Sequence, residues 1–251
     1  MKLLLLGTGG YHPSETRQTA CLMLPEVGLV LDAGTAMYRI ADHLQTDSLD
    51  IFLSHAHLDH IVGLTYLLDI VHRRPLIRVT VHGEADKLAA VREHLFAEPL
   101  FPVEPPFETR PLLDEVSVEG TAVEGGGRVH HFPLVHPGGV LGYRLDWPGH
   151  SLAYVTDVTA TPDAPYIEQI RGVDLLIHEC YFKDDHAERA ALTGHSCVSP
   201  VAQVAADADV GRLLLVHVNP LADPASPLDI DTARAIFPHT ELAVDKMEVE
   251  F

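Results

Sequence analysis

Four side chains that can bind a metal ion lie within six residues of the sequence. They are His55, His57, Asp59 and His60, and they come shortly after the apolar run Ile51–Leu53. Side chains in the turn at the end of a strand can converge on one point, whereas the interior of a strand would spread them over two faces. Imidazole and carboxylate ligands together favour zinc, and manganese or iron also accept them. The sequence therefore predicts a metal site at the end of a strand.

Three more ligand-type residues show the same arrangement, in which an apolar run leads to a histidine or an aspartate. The pairs are Phe132–Val135 with His136, Leu152–Thr156 with Asp157, and Leu213–Val216 with His217. Any one of these residues could be a structural residue at the end of a strand. Because the arrangement recurs beside the first cluster, we expect all seven residues to belong to one metal centre.

The rest of the chain alternates apolar runs of strand length with segments of helical periodicity. Helices are predicted over about Ile61–Val71 and Glu84–Phe96, and strands include Leu3–Leu6 and Val116–Val123. The proline-rich segment Glu98–Pro111 is predicted to be a loop, which packs on its own domain, covers the site as a lid or contacts another subunit. Mixed strands and helices in two similar halves favour the α/β (α+β) class, with two packed sheets and helices outside. No linker interrupts the 251 residues, so a single domain is expected.

The composition limits the class of partner and the compartment. The formal net charge is −19, whereas proteins that bind long RNA or DNA carry a basic face. A long nucleic acid is therefore disfavoured, and a small substrate held by metal ions is expected. Cys21, Cys180 and Cys197 form no paired spacing, which favours free thiols in a reducing cytoplasm. No apolar run approaches membrane-spanning length, so we expect no membrane association.

These motifs together resemble the metallo-β-lactamase superfamily, and within it the ribonuclease Z-like branch. The similarity covers nearly the whole chain and begins with Gly7-Thr8-Gly9 and Asp32-Ala33-Gly34. In the second half, Leu175–Cys180 resembles the branch's histidine–glutamate motif, Gly194-His195-Ser196 its histidine–serine motif, and Leu215-Val216-His217 its final ligand. The resemblance implies a four-layer αββα sandwich, in which two mixed β-sheets are flanked by helices.

The resemblance also implies a role for each ligand in a centre of two divalent metal ions. One ion would be bound by His55, His57 and His136, the other by Asp59, His60 and His217, with Asp157 as the bridge. Two ions that share a carboxylate lie close enough to share a hydroxide, whose pKa they lower towards neutrality. Asp59 could orient that hydroxide with its second oxygen, while the phosphoryl oxygens of a substrate would span both ions.

Two further residues take part in catalysis if the resemblance holds. It implies that His195 protonates the leaving oxygen or holds the phosphoryl group, and that Glu179 orients His195. The alternative is a buried histidine–glutamate pair that only fixes the structure of the loop. His178 should point away from Glu179 on its strand, so we expect it in the core.

The chain departs from ribonuclease Z proper between two of the ligands. His136 and Asp157 are only 21 positions apart, and the residues between them have the pattern of two strands and a Trp147-Pro148-Gly149 turn. The long insertion with which ribonuclease Z grips transfer RNA has no room here. The spacing resembles that of smaller phosphodiesterases of the branch, such as the cyclic-phosphate hydrolase of phosphonate metabolism. Only Cys21 is available for the extra cysteine-rich zinc site of that enzyme type.

The predicted function is hydrolysis of a small phosphodiester or cyclic phosphate. Two alternatives stay open from the sequence alone. The same centre could hydrolyse a lactone, a thioester or a sulfate ester, because the bridging hydroxide attacks carbonyl carbon equally well and the fold does not choose. It could also hold iron for redox or cofactor-assembly chemistry, as in some relatives of the fold. Homodimers are common among similar proteins, but no sequence feature decides the oligomeric state.

Overall fold

The computed structural model describes residues 1–112 and 116–251, and within them the chain forms two β-sheets of seven strands each. The strands of the first sheet are β1 Lys2–Gly7, β2 Cys21–Leu24, β3 Leu29–Leu31, β4 Ser48–Phe52, β5 Arg78–Glu84, β6 Glu108–Leu112 and β14 Met247–Glu250. Those of the second are β7 Thr121–Val123, β8 Gly127–Leu134, β9 Val140–Trp147, β10 His150–Val155, β11 Leu175–Glu179, β12 Leu213–Val216 and β13 Thr240–Leu242. The strand orders are β14-β1-β2-β3-β4-β5-β6 and β13-β12-β11-β10-β9-β8-β7.

Helices cover the outer faces of both sheets. The α-helices of the described residues are α1 Leu58–Ile61, α2 Leu67–Arg73, α3 Ala85–Ala90, α4 Ala187–Thr193, α5 Val198–Asp207 and α6 Ile230–Ile236. Shorter 3₁₀ helices include Thr35–Asp42 and Val62–Tyr66, and a π-helix covers Val91–Leu95. None of the helices in the described part of the chain is long and apolar enough to cross a lipid bilayer.

The packing of β1 explains why its sequence is a continuous apolar run. Leu3 and Leu5 face the layer between the two sheets, where Phe52 also lies, whereas Leu4 and Leu6 face the helical layer outside the first sheet. A third apolar cluster joins the outer face of the second sheet to α5 and α6. Both faces of each sheet are therefore buried, which favours apolar runs over alternation. The predicted four-layer αββα sandwich is confirmed.

The direction of the strands brings the predicted metal ligands to one edge of the sandwich. β3 to β6 run parallel in the first sheet, and β10 to β13 run parallel in the second. β8 has the same direction as β10, because each of them is antiparallel to β9. The segments that follow β4, β8, β10 and β12 carry the ligands, and ligand sites in such sheets lie at the carboxyl ends of the strands.

The helix predicted over Ile61–Val71 is divided into α1, a 3₁₀ turn and α2. Gly63 lies at the division, and its N–H donates a hydrogen bond of 2.7 Å to the carbonyl oxygen of Ala33. A β-carbon at Gly63 would lie 2.2 Å from the carbonyl oxygen of Gly34, so only glycine allows this close approach. The contact of Gly63 with the segment after β3 therefore interrupts the regular α-helix at this point. The helix predicted over Glu84–Phe96 is confirmed, as α3 and the π-helix that follows it.

The loop predicted over Glu98–Pro111 ends in a strand, so this part of the prediction is wrong. β6 pairs in parallel with β5, from Glu108 opposite Thr80 onwards. Pro111 is tolerated because β6 is an edge strand, whose outer side has no neighbour that needs an N–H donor. Since β6 begins beside the first half of β5, the preceding loop lies at the end of the sheet opposite to the predicted metal ligands. The structure therefore excludes a lid, and Phe96 and Phe101 pack this loop onto its own sheet.

The strand predicted over Val116–Val123 is also too long, because only Thr121–Val123 forms a strand ladder with β8. The N–H of Gly120 donates to the hydroxyl of Ser117 at 3.1 Å, and Gly120 has a φ of 70°. This turn, which suits glycine, ends the strand on its N-terminal side.

A partly buried ion pair between β4 and β5 gives a prediction about stability. The Asp50 carboxylate accepts two hydrogen bonds from the Arg78 guanidinium, at 2.8 and 2.7 Å, and one of 2.8 Å from His82 Nε2. Burial alone would raise the pKa of Asp50, but Arg78 and His82 hold this pKa at about 2. Because the folded pKa is depressed, the contribution to stability is present above the unfolded pKa of about 4 and disappears as the pH falls towards 2.

We expect Asp50→Asn to lower the free energy of unfolding by about 1–2 kcal/mol at pH 6, since solvent at Arg78 screens part of the attraction. The difference between the wild type and the variant should shrink as the pH falls from 5 towards 2. Urea unfolding followed by fluorescence across this range checks both statements. Asp47→Asn, at an exposed position directly before β4, should show a small difference that does not change with pH.

Candidate metal centre

Two of the predicted ligands have an unusual backbone conformation directly after their strands. Asp157 follows β10 with a φ of 48°, and His217 follows β12 with a φ of 57°. Residues other than glycine rarely adopt such left-handed angles, at an expense on the order of 1–3 kcal/mol each, and they do so where the surrounding structure fixes them. Backbone strain of this kind concentrates at functional sites.

The structure brings all seven predicted ligands together. One group of atoms comes from His55, His57, His136 and Asp157, and a second from Asp59, His60 and His217. Within each group the nitrogen or oxygen atoms lie within 4.8 Å of one another. Such spacing is compatible with a shared cation, and imidazole nitrogen with carboxylate oxygen is a donor set that zinc accepts.

Asp157 lies between the two groups. Its Oδ2 is 3.2 Å from Nε2 of His60 and 3.5 Å from Nε2 of His217. Its Oδ1 is 3.9 Å from Nε2 of His136, in the other group. One carboxylate thus presents an oxygen to each group, which is the arrangement expected of a bridging ligand.

The hydrogen bonds of three imidazole rings fit a bound metal ion. Nδ1 of His60 donates to Asp32 at 2.8 Å, and Nδ1 of His136 donates to the carbonyl oxygen of Gly194 at 3.1 Å. Nδ1 of His55 lies 3.0 Å from the Ser54 hydroxyl, while its buried Nε2 has no hydrogen-bond partner among the described residues. With Nδ1 protonated, Nε2 carries a lone pair that faces the centre. A buried nitrogen without a partner is unfavourable unless a cation accepts its lone pair.

The charges of the centre also favour a cation. Burial lowers the pKa of His60, but the carboxylates of Asp157 and Asp32 outweigh burial and raise this pKa well above its usual value. Nε2 of His60 and Nε2 of His217 are only 3.2 Å apart. A divalent ion would supply the positive charge that the carboxylates favour, in place of the proton that the raised pKa of His60 otherwise keeps between these two nitrogens.

Asp32 supports the centre from behind, a role that the sequence analysis missed. It is fully buried, and besides His60 it accepts hydrogen bonds from the N–H and hydroxyl of Ser54 and from the Tyr154 hydroxyl at 2.8 Å. Carboxylates that hold the second nitrogen of a metal-binding histidine fix its orientation and its tautomer. The sequence does contain the same pattern of an apolar run followed by an aspartate, because Asp32 follows the apolar strand β3 as Asp157 follows β10.

His195 and Glu179 lie beside the ligands. Nδ1 of His195 donates to Oε1 of Glu179 at 2.9 Å and is 4.0 Å from Oδ1 of Asp157. The Glu179 carboxylate is fully buried and also accepts the N–H of Val158 at 2.9 Å and of Ser196 at 3.2 Å. Burial lowers the pKa of His195, but the Glu179 carboxylate and the aspartates of the centre together outweigh burial and raise this pKa. The pair is therefore both rigid and close to the centre.

His178 is not part of the centre. Its ring is fully buried, with Nε2 3.0 Å from the Tyr166 hydroxyl. This agrees with the expectation that His178 and Glu179 point to opposite sides of β11.

Gly10 is packed against the ring of His217 and gives a second prediction. A β-carbon at Gly10 would lie 2.5 Å from two atoms of that ring, so Gly10→Ala must displace the imidazole. We expect roughly a 10- to 100-fold loss of metal affinity, the range seen when the support of a ligand is disturbed. Metal titration of the purified protein measures it. Gly83→Ala, whose β-carbon meets only ordinary contacts of 3.5 Å or more, should keep the wild-type affinity.

A family profile confirms the superfamily that the motifs resemble. The profile described as a beta-lactamase superfamily domain matches residues 29–218, which include all seven predicted ligands. The match therefore covers most of the chain.

Curated relatives of the chain are named ribonuclease Z. The protein of Gloeothece citriformis is 29% identical over 307 aligned positions, which cover 100% of this chain and 96% of that protein. The protein of Synechococcus sp. is 38% identical over 147 residues, which cover 57% of this chain and only 40% of that protein. Since this chain has 251 residues, the alignment of 307 positions includes stretches of the Gloeothece protein that this chain lacks.

Solved structures agree on the fold. The metallo-β-lactamase fold protein YhfI from Bacillus subtilis superposes with a TM-score of 0.79 at 20% identity, over 99% of both chains. Human tRNase Z, short form, has a TM-score of 0.75 at 21% identity, over 100% of this chain and 99% of that one. A diphosphatase of the PhnP family has a TM-score of 0.73 at 20% identity, over 100% of this chain and 97% of that one. The chain therefore belongs to the beta-lactamase superfamily, in the ribonuclease Z-like form of its fold, and is a metal-dependent hydrolase.

Proposed function

We propose that the protein is a phosphodiesterase with two divalent metal ions, which hydrolyses a small phosphodiester or cyclic phosphate. The observation that carries the proposal is the buried Glu179 carboxylate, which holds the imidazole of His195 beside the two groups of ligand atoms. Hydrolysis of a phosphodiester releases an alkoxide, which needs a proton. A histidine whose pKa is raised can supply that proton near neutral pH.

The metal ligands in this proposal are those of the two groups. One ion would be held by His55, His57 and His136, the other by Asp59, His60 and His217, with Asp157 shared. Five imidazoles and two carboxylates favour Zn²⁺, while Mn²⁺ or iron also accept these donors. When bound, such ions lower the pKa of a water molecule and offset the negative charge that develops on the phosphoryl oxygens.

His195 is the proposed proton donor. Because the Glu179 carboxylate can only accept a hydrogen bond, Nδ1 of His195 carries a proton and Nε2 is the atom that faces the substrate. The N–H groups of Val158 and Ser196 fix Glu179, so the imidazole keeps one orientation. The proton on Nε2 would pass to the leaving oxygen as the bond from phosphorus to that oxygen breaks.

Asp59 is the proposed residue that orients the attacking water. Its Oδ2 accepts the N–H of Tyr11 at 2.7 Å and lies 3.4 Å from Nε2 of both His60 and His217. Its Oδ1 is then left to accept a hydrogen bond from the water. Such a bond would direct a lone pair of the water towards phosphorus.

Two observations support a small substrate. β9 and β10 form a tight hairpin in which Trp147 pairs with His150, so the segment between His136 and Asp157 contains no arm that could hold a transfer RNA. The net charge of −19 opposes a long polyanion as well. The ribonuclease Z relatives therefore support phosphodiester hydrolysis, whereas the short hairpin and the net charge of this chain support a small substrate.

The proposal is tested with the full chain after loading with Zn²⁺, Mn²⁺ or Fe²⁺ and after metal analysis. Bis(p-nitrophenyl) phosphate and 2′,3′-cyclic nucleotides are the first substrates, and a matched preparation of His57→Ala is the control. Turnover well above the control is the expected result. If turnover of every diester equals that of the control, the proposal fails.

The same preparations separate the two alternatives. A panel of lactones, thioesters and aryl sulfates detects a change of substrate class with the same metal centre. Stoichiometric iron together with oxygen-dependent chemistry would favour a redox function. Preferential hydrolysis of phosphodiesters with zinc or manganese opposes both.

A further inference from the structure

Five large apolar side chains remain exposed on segments that follow strands at the end of the sandwich where the proposed metal ligands and His195 lie. We call them the apolar rim, which consists of Tyr11, Leu58, Val135, Leu192 and Leu221. Each is at least 68% exposed. Single exposed apolar residues are ordinary on a protein surface, whereas a group of them around a functional site marks a binding surface.

Three rim residues are tied directly to ligands. Leu58 precedes Asp59 in the sequence, and Val135 precedes His136. The N–H of Tyr11 donates to the Asp59 carboxylate at 2.7 Å. The backbones of these three residues therefore lie within one residue or one hydrogen bond of a proposed metal ligand, and their side chains are exposed.

The other two rim residues come from the second half of the chain. Leu192 lies in α4, two residues before Gly194, whose carbonyl oxygen accepts a hydrogen bond from His136. Leu221 follows His217 by four positions. The apolar rim thus draws on segments after strands of both sheets, which all meet at the metal centre.

An aromatic ring continues the apolar surface towards the proposed proton donor. The ring of Tyr181 stacks on the imidazole of His195, with 4.6 Å between ring centroids and 14° between planes. It also lies 5.8 Å from the ring of His217. A substituent on the substrate would therefore meet apolar surface beside the reacting atoms as well as at the rim.

Few cations accompany this apolar surface. The segments 8–19, 54–61, 135–139, 156–165, 180–197 and 217–229, all of them described, contain Arg17, Lys183 and Arg189 as their only lysines and arginines. Arg17 donates to the Thr8 hydroxyl and the Ala243 carbonyl, and Arg189 lies over the ring of Phe182. A chain of several phosphates would need a row of free cations, which these segments do not offer.

We infer that the phosphodiester taken by this site carries an apolar alkyl or aryl group, which the apolar rim covers. The inference rests on the proposed function and narrows its substrate class. The phosphoryl group would lie at the metal centre, while the apolar group would be transferred from water into contact with the apolar rim. Burial of that group would favour binding in proportion to its apolar area.

The direct test uses p-nitrophenyl phosphodiesters whose second ester group is methyl, butyl or hexyl. The leaving group and the bond that is broken are identical throughout the series. Only the length of the second ester group, and therefore its apolar contact with the protein, changes. We expect kcat/KM of the metal-loaded full chain to rise at least roughly tenfold from methyl to hexyl, since each buried methylene adds to binding. The Leu192→Ser, Leu221→Ser double variant should lose most of this rise. Ile77→Ser, at a residue equally exposed but next to the start of β5 at the far end of the sheet, should retain it.

A second readout does not depend on catalysis. Alkyl(methyl)phosphinates keep the anionic PO₂ group but have no ester bond, so they bind without reacting. Calorimetry should give tighter binding and a more negative heat-capacity change for longer alkyl groups, the mark of apolar burial. The double variant should show neither trend.

The outcomes separate this inference from the proposed function. Equal rates across the series in the wild type, or a full rise in the double variant, would overturn the inference while phosphodiesterase activity stands. No hydrolysis of any member, including the methyl diester, would overturn both. Sedimentation velocity tests whether a second copy of this chain, and not a substrate group, binds the apolar rim. A wild-type dimer that becomes a monomer in the double variant, together with equal rates, would assign the apolar rim to a subunit interface and overturn the inference.

Discussion

Asp157→Asn should abolish most of the activity and leave less than the full complement of metal. The substitution keeps the shape of the side chain but removes the charge that faces both groups of ligand atoms, with Oδ2 3.2 Å from His60 and Oδ1 3.9 Å from His136. An amide offers one neutral oxygen in place of two charged ones, so it cannot join two ions. We expect kcat/KM to fall by roughly 10³-fold or more, because both the activation of water and the stabilisation of phosphoryl charge depend on these ions.

Metal analysis by mass spectrometry, before and after reloading, and kcat/KM with a p-nitrophenyl diester check this result. Asp163→Asn is the matched control, since Asp163 is exposed six positions further along the chain. It should keep both metal content and rate. Full metal content in Asp157→Asn with a rate within tenfold of the wild type would contradict the proposed bridge.

His195→Gln should show a loss of activity that depends on the leaving group. p-Nitrophenolate departs without a proton, so the rate with such a diester should fall by less than about tenfold. A diester that releases an alkoxide needs the proton of Nε2, and its rate should fall by roughly 10²- to 10⁴-fold, the range of general acid catalysis. Glu179→Gln should show the same dependence with smaller losses, because it weakens the 2.9 Å contact that orients the imidazole.

Plots of log kcat against the pKa of the leaving group measure this difference, which appears as a steeper slope in the variants. A histidine that only fixes the loop would lower all rates by one factor and leave the slope unchanged. His186→Gln, at an exposed histidine on the same connection between β11 and α5, should reproduce the wild-type slope.

The convergence of the seven candidate ligand residues could be predicted because each residue is marked by its own neighbours in the sequence. His136 and His217 are far apart in the sequence, but each follows an apolar run directly, and the carboxyl ends of strands meet at one edge of the sandwich. Two packed sheets with helices outside followed from the alternation of apolar runs and helical segments, and the four-layer αββα sandwich was what the family resemblance implied. That these residues act as ligands, and that the chain forms a single domain, stay predictions.

Other features depend on contacts between distant segments, which one sequence does not display. Asp32 belongs to a recognisable sequence motif, but its supporting role appears only in the fold, where His60 and Tyr154 donate hydrogen bonds to it. The break after α1 arises from the approach of Gly63 to the segment after β3. β6 was missed because Pro111 argues against a strand unless the strand is known to lie at an edge.

The division of the ligands between the two sheets has a consequence for how the protein comes to be active. The segment His55–His60 follows β4 of the first sheet, whereas His136, Asp157 and His217 follow strands of the second. Neither half of the chain would hold enough donors for the proposed bridged centre, so a nascent chain that has folded only its first half should have no hydrolase activity. Ions bound by residues of both sheets would stabilise the contact between the two halves at this end of the sandwich. Catalytic activity would therefore appear only when the two halves have packed together.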